Sequence, residues 1–123
     1  MTDMIYVKVE ELDGSALDWA VANAVGIFVH KSFAVGVIPF VLKSSDGSRY
    51  SPTKDWRELG PLIDRYHISF DVVLTKNSVF VAAKTGGDEF WYAGENHLVA
   101  ACRAIVAAYA GPTVTVPRDL VEE

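Results

Sequence analysis

Apolar and polar residues follow two different periods along the chain, and this pattern predicts a mixture of strands and helices. The segment from Met4 to Val9 alternates with period two. Ile5 and Val7 share one face, whereas Tyr6 and Lys8 share the other. Such alternation is typical of a strand that is buried on one side only. We therefore predict that the chain begins with a half-buried strand.

Two longer segments carry apolar residues at helical spacing and predict the two long helices. The first spans Leu12 to Gly26 and the second spans Asn96 to Ala110. Asp13 and Asn96 are residue types that cap helix N-termini, and Gly26 suits the left-handed position after a helix. The predicted apolar face of the second helix consists of Leu98, Val99, Cys102, Ile105, Val106 and Tyr109.

The remaining apolar runs favour strands. Residues 27–43 predict one or two strands, and Pro39 indicates an edge position or a bulge there. Asp46-Gly47 predicts a hairpin turn, and residues 68–92 predict a three-stranded meander. A short extended piece at 113–117 precedes an acidic tail, which we expect to fray.

These elements do not alternate in the βαβ order of parallel sheets, so they predict the α+β class. The expected architecture is one mainly antiparallel sheet with two longer helices and one short helix packed on it. The chain has 123 residues, a length that suits one domain spanning residues 1–123.

The central stretch YSPTKDWRELGPLID, residues 50–64, has no regular period. Periodic burial cannot hold such a stretch, so specific side chains must do so. Gly60-Pro61 predicts the start of a short helix with Pro61 as its first residue, where the missing N–H costs nothing. Leu62, Ile63 and Tyr66 would then face the core.

Composition narrows the possible functions. Half of the residues are apolar and the formal net charge is −5, which is typical of a globular domain and argues against general nucleic-acid binding. Cys102 is the single cysteine, and the three histidines have no metal-ligand spacing. We expect no metal, no cofactor, no membrane span and a cytoplasmic location. Cys102 lies on an apolar helix face and is expected to be inert.

Asp55 and Trp56 carry the sharpest functional hypothesis. A carboxylate beside an indole in an irregular segment could bind a polar ligand, with the ring as a stacking wall. The alternative, which we favour, is that Asp55 caps the next turn while Trp56 anchors the segment in the core. Pairing of Asp55 with Asp64 as a general acid and base has no support in their spacing.

Arg103 lies among alanines on the second long helix, away from its apolar face. Its guanidinium could bind an anion or the carboxylate of a partner. The favoured alternative is an intramolecular ion pair, or a side chain extended over the small neighbouring residues.

Three segments together resemble one family. They are ELDGSALDWAVA (residues 11–22), the central stretch of residues 50–64, and LVAACRAIVAAYAGPTVTVPRDL (residues 98–120). They are similar to the motifs LxGxxLDWAVA, YSPSTDWxxGGPIIE and LxAAMRxxVASxxGxxVxVPxEL of the phage NinX-like proteins, a family of unknown function. The shared residues are Leu17 to Ala22, Tyr50-Ser51-Pro52, Asp55-Trp56, Gly60-Pro61, Ala100-Ala101, Arg103 and Val116-Pro117.

Two positions depart from these motifs. Leu59 replaces the first glycine of the GGP motif, and Cys102 replaces the methionine before the arginine. The resemblance implies a protein encoded by a bacteriophage or a prophage. It implies no reaction, because the family has no established one.

The leading hypothesis is a non-enzymatic binding protein, with no catalytic residues assigned. It would act through the central stretch and the N-terminal end of the last helix. The candidate binding residues are Tyr50, Ser51, Asp55, Trp56 and Arg103, which include residue types enriched in recognition hot spots.

The first alternative is an enzyme or small-molecule binder with a cleft lined by Asp55, Trp56 and Arg103. The second is a homo-oligomer formed through aromatic strand faces, such as that of Phe90, Trp91 and Tyr92. The expected partner is accordingly another protein or a second copy of this chain.

Overall fold

A computed structural model describes residues 3–32 and 38–121 of the chain. These residues form three α-helices and seven strands. The helices are α1 (Gly14–Val25), α2 (Trp56–Arg65) and α3 (His97–Ala110). The strands are β1 (Met4–Lys8), β2 (Val29–Lys31), β3 (Val41–Lys43), β4 (Ser69–Leu74), β5 (Val79–Lys84), β6 (Tyr92–Gly94) and β7 (Thr113–Pro117). Short 3-10 helices follow β1 at Val9–Glu11 and β7 at Arg118–Leu120.

The two long helices form the centre of the core. Leu17 and Val21 of α1 are fully buried in the same apolar cluster as Cys102 and Ile105 of α3. Both helices end as predicted, since Gly26 and Gly111 follow them with φ angles of 84° and 86°. The Asn96 carboxamide oxygen caps α3 by accepting the Val99 N–H at 2.9 Å. Asp13 occupies the N-cap position of α1, although its side chain makes no capping hydrogen bond.

The α+β class is confirmed, but the strands do not form the single sheet that the sequence suggested. β1 pairs with β7, β2 pairs with β3, and β4, β5 and β6 form a third sheet in that order. All these pairs are antiparallel. The first sheet joins the two ends of the chain, with Met4 opposite Pro117. The helices α1, α2 and α3 lie between successive groups of strands. β2 and β3 pair with each other, as do β4, β5 and β6, whereas β1 and β7 pair across the whole chain.

The meander and the turn at Asp46-Gly47 are confirmed. Gly47 has a φ of 75°, and a bridge between Leu42 and Arg49 closes the turn. Pro39 lies outside the strands. Residues 33–37 of the segment predicted as one or two strands lie outside the described residues.

The start of α2 differs from the prediction. The helix begins at Trp56, and Pro61 lies inside it. The cause is Asp55, whose carboxylate accepts the Arg57 N–H at 2.9 Å and caps the helix before Pro61 is reached. Leu62 is buried as expected, and Ile63 and Tyr66 pack against the core.

Two further expectations were wrong. The acidic tail does not fray over its described part, because Leu120 is buried in the core and the 3-10 helix orders residues 118–120. Tyr109 does not join the buried face of α3, since its ring is exposed near the last turn of the helix. Glu122 and Glu123 lie outside the described residues.

α3 packs directly on the third sheet through small residues. Ala100 and Ala104 of the helix contact Val81 and Ala83 of β5. At the edge of this contact, a Cβ added to Gly94 would lie only 2.5 Å from the Ala100 nitrogen. The chain can bring β6 this close to the helix because Gly94 has no side chain.

Replacing Gly94 with alanine should therefore destabilise the fold by about 1–3 kcal/mol, because the backbone of α3 must move. The measurement is urea unfolding followed by circular dichroism. Gly87→Ala is the matched control, since a Cβ at Gly87 would meet nothing within 4 Å. Equal stability of the two variants would show that the helix and β6 are not packed as closely as described.

Candidate functional site

The start of the central stretch is held against α1 by a buried carboxylate. The Thr53 N–H donates to Oδ1 of Asp18 at 3.0 Å. Asp18 is only 3% exposed, and Thr53 is buried beside it. A buried charged group is costly unless it is hydrogen-bonded. This hydrogen bond therefore ties the aperiodic segment to the helix while satisfying one oxygen of the carboxylate.

Burial raises the pKa of Asp18 well above the ordinary range of aspartate, to about 6. The hydrogen bond from the Thr53 N–H, the nearby Thr53 hydroxyl and the positive charges of Arg49 and Lys54 lower this pKa, but they offset the burial only in part. The Thr53 hydroxyl makes no hydrogen bond of good geometry within the described chain. Asp18 therefore titrates just below neutral pH.

Tyr50 lies in the core rather than on the surface. Its ring is fully buried, and its hydroxyl has no hydrogen-bond partner among the described residues. Burial raises the pKa of Tyr50 beyond its usual range, so the phenol stays protonated. Cys102 is likewise buried, and burial raises the pKa of its thiol, which fits an inert core cysteine.

Asp55 acts as the N-cap of α2, as the favoured interpretation proposed. Its Oδ1 accepts the Arg57 N–H, and its Oδ2 lies 3.3 Å from a guanidinium nitrogen of Arg57. The hydrogen bonds from the Arg57 side chain and backbone lower the pKa of Asp55. The carboxylate therefore remains charged at neutral pH and fixes the first turn of α2.

Trp56 does not anchor the segment in the core, contrary to the favoured interpretation. It is 53% exposed at the first position of α2. Its ring centroid lies 6.4 Å from that of His97, which begins α3. His97 in turn meets Phe70 of β4 edge-on, at 5.0 Å between centroids. The central stretch and the N-terminal end of α3 thus share one surface, on which Trp56 is the largest exposed side chain.

Arg103 joins separate parts of the backbone. Its Nε donates to the Leu12 carbonyl at 2.9 Å, and a terminal guanidinium nitrogen donates to the Ala93 carbonyl at 2.7 Å. Partial burial lowers the pKa of Arg103. These hydrogen bonds to backbone carbonyls were not among the roles expected from the sequence. The guanidinium connects α3 to β6 and to the residue that precedes the N-cap of α1.

Two of the five candidate residues line one open, shallow hollow. Ser51 and Asp55 meet there with three cations and two further polar residues, in a space of about 570 Å³. The other lining residues are Lys43, Ser48, Arg49, Arg57 and Glu58. Lys43 pairs with Glu58 at 3.4 Å. Trp56 and Arg103 do not line this hollow, so the five candidates do not converge at one point.

The sequence interpretation assigned no role to Asp18. The available signal was a charged residue on the apolar stripe of α1, three residues before Val21 and seven before Val25. All three residues are buried. A carboxylate at such a position must find a partner in the core, and the partner proves to be the Thr53 backbone.

The described residues include no group of three or more histidine, cysteine or acidic side chains placed to hold a metal ion. No helix in the described ranges has the length and apolar character that crossing a membrane requires.

The fold and this surface define a small α+β protein in which Asp18, Asp55 and Arg103 hydrogen-bond to its own backbone. A family model described as Bacteriophage P22, NinX matches residues 8–109. The chain therefore belongs to the NinX family of phage proteins, in agreement with the resemblance found in its motifs. No match was found among the curated proteins compared with it.

The raised pKa of Asp18 predicts a specific pH dependence of stability. The contribution of a group whose folded pKa is raised is fully present below its unfolded pKa, about 3.9 for aspartate. That contribution is lost as the pH rises through about 6. A shift of about two pKa units corresponds to about 3 kcal/mol.

Asp18→Asn removes the charge but keeps an oxygen that can accept the Thr53 N–H. Relative to the unmodified protein, this variant should gain up to about 3 kcal/mol of stability between pH 4 and pH 7. Urea unfolding of both proteins across this range measures the difference in their free energies of unfolding. The other titrating groups are the same in both proteins, so their contributions cancel. A difference that is constant with pH would contradict a raised pKa at Asp18.

Proposed function

We propose that this NinX-family protein is a non-enzymatic accessory protein that binds another protein in the cytoplasm of the infected or lysogenic bacterium. It acts through the Trp56 surface, which we define as Trp56, Arg57 and His97. Membership of a phage family supports the setting, and the buried free thiol of Cys102 suits a reducing compartment. The net charge of −5 supports a protein partner over nucleic acid.

The observation that carries the proposal is the exposure of Trp56. A tryptophan ring is a large apolar surface, and tryptophan and arginine are the residue types most enriched at binding hot spots. Trp56 leaves about half of its surface in solvent at the first position of α2. Arg57 follows it with its side chain almost entirely exposed. Trp56 offers an apolar contact. Beside it, the Arg57 guanidinium pairs with Asp55 at 3.3 Å and still leaves most of its surface exposed for a charged contact.

The backbone below Trp56 is held firmly, which supports a role in recognition. Asp55 caps α2, and the preceding residues are tied to α1 through Asp18 and Thr53. Binding costs less when the contact residues are already ordered, because less conformational entropy is lost. The ordered geometry needed for a hot spot is thus supplied by contacts that do not involve the partner.

Two contacts weigh against the enzyme or small-molecule alternative. The Asp55 carboxylate is engaged by Arg57, and the Arg103 guanidinium is engaged by the Leu12 and Ala93 carbonyls. A cleft lined by Asp55, Trp56 and Arg103 would require these contacts to be exchanged for contacts with a ligand. The shallow hollow beside Ser51 is polar and holds ion pairs of its own, so we propose that it forms the rim of the protein-binding surface.

Trp56→Ala should abolish capture of the partner, because it removes the largest apolar contact of the surface. The measurement is affinity capture with the purified protein from lysates of phage-infected and uninfected host cells, followed by mass spectrometry. Tyr6→Ala is the matched control, since Tyr6 is an aromatic residue on β1 that is 82% exposed. Circular dichroism and urea unfolding check that both variants are folded.

The expected result is a protein captured by the unmodified chain and by Tyr6→Ala, but not by folded Trp56→Ala. The effect on a purified pair should be about 2 kcal/mol or more, or at least about 30-fold in Kd. Retention of every captured protein by folded Trp56→Ala would reject the Trp56 surface.

A further inference from the structure

β4 extends beyond the part of its sheet that α3 covers. α3 packs on β5 and β6, and the apolar face of the sheet continues from there to the outer end of the β4–β5 hairpin. Three apolar side chains on this continuation are exposed: Val72 and Leu74 of β4, and Val79 of β5. Leu74 is 74% exposed and lies opposite Val79. The hairpin therefore presents an uncovered apolar strip to solvent.

β4 is also an edge strand, since its sheet has the order β4-β5-β6. The Thr75 N–H donates to the Ser78 carbonyl at 2.8 Å, so Thr75 points its backbone groups towards β5. Antiparallel ladders alternate from residue to residue. Phe70, Val72 and Leu74 therefore direct their N–H and C=O groups away from β5. Within the described ranges, these groups make no backbone hydrogen bond outside the ladder.

This edge has few of the features that usually keep strands apart. Natural edge strands are protected by charged side chains, especially lysine, by proline, bulges or short length, or by a covering helix or loop. β4 has six residues and contains neither proline nor lysine, and its pairing with β5 continues without interruption from Ser69 to Leu74. Its one charged residue, Asp71, lies on the face opposite Val72 and Leu74. An unprotected edge that also carries an apolar strip favours the addition of another strand.

We propose that β4 pairs antiparallel with β4 of a second copy of this chain, with Val72 opposite Val72 on the two-fold axis. In this register Phe70 faces Leu74 of the second copy. Every side chain on the exposed apolar face then meets another apolar side chain. The two three-stranded sheets become one continuous antiparallel sheet with the order β6-β5-β4-β4-β5-β6.

This register is favoured over the two registers in which the two-fold axis lies one residue away. Moving the two-fold axis to Asp71 would place two carboxylates directly opposite each other, which is destabilising. Moving it to Val73 would shift the paired segment beyond Leu74 into the turn at Thr75 to Ser78 and would leave Phe70 without a partner on β4. With the axis at Val72, each Asp71 faces Val73 of the other copy, and the strand pairs over its full length.

The strand is therefore complementary to itself, and this is why a second copy is the occupant that we propose. The contact differs from the aromatic strand face considered in the sequence, because Phe90 and Trp91 precede β6 at the other edge of the sheet. It adjoins the Trp56 surface, because Phe70 of β4 meets His97 edge-on, but the variants that test the two proposals change different residues. Loss of partner capture in Trp56→Ala and loss of self-association in β4 variants are separate outcomes.

The experiment is sedimentation equilibrium of the full chain over a wide range of concentrations. The unmodified protein is expected to form a dimer. Val72→Lys and Val72→Asp each place like charges opposite each other on the two-fold axis, so each variant should sediment as a monomer. An equimolar mixture of the two should recover the dimer mass, because lysine then faces aspartate. The Val72 side chain is half-exposed, so both variants are expected to fold, and circular dichroism checks this.

Tyr6→Lys is the control for a charge added elsewhere, since Tyr6 is exposed on β1, and it should remain a dimer. A monomeric unmodified protein at every concentration would overturn the proposal. So would a dimer that persists in folded Val72→Lys, or a mixture of the two charged variants that stays monomeric.

Discussion

The hydrogen bond from the Thr53 N–H to the buried Asp18 carboxylate is the contact on which the central segment depends. The segment has neither the period of a helix nor that of a strand, so its own sequence cannot hold it in place. Asp18 offers an acceptor from the buried side of α1, and Tyr50, the first residue of the segment, is buried in the core. The cost is a carboxylate whose burial raises its pKa to about 6. The buried Asp18 carboxylate is poorly solvated, but its hydrogen bond to Thr53 gives residues 50–55 a defined path.

That path determines where α2 begins and which side chain reaches solvent. Asp55 follows the tied residues and caps the helix at Trp56. Trp56 then points outwards beside His97 at the start of α3. Arg103 holds the other side of α3 through the Leu12 and Ala93 carbonyls. Asp18, Asp55 and Arg103, three polar residues shared with the family motifs, therefore hold the fold together, whereas Trp56 is half-exposed.

The local elements could be predicted from the sequence, because they depend on residues close in the chain. The alternation of β1, the two long helices, the Asn96 cap and the meander are examples. The division into three sheets could not, since pairing of Met4 with Pro117 joins opposite ends of the chain. The start of α2 had two competing signals, and the Asp55 cap prevailed over the proline signal at Pro61. The exposure of Trp56 and the burial of Tyr50 depend on how the segment is tied to α1. This contact joins residues far apart in the chain, so the local sequence pattern does not predict it.

Native-state hydrogen exchange at the Thr53 amide tests this account most directly. The account predicts that this amide exchanges as slowly as core amides of α3, such as that of Ile105. In Asp18→Ala, the protection of Thr53 should fall selectively, whereas that of Ile105 should follow only the change in global stability. A Thr53 amide that exchanges in the unmodified protein as fast as the amide of Lys76, in the exposed turn between β4 and β5, would contradict the account.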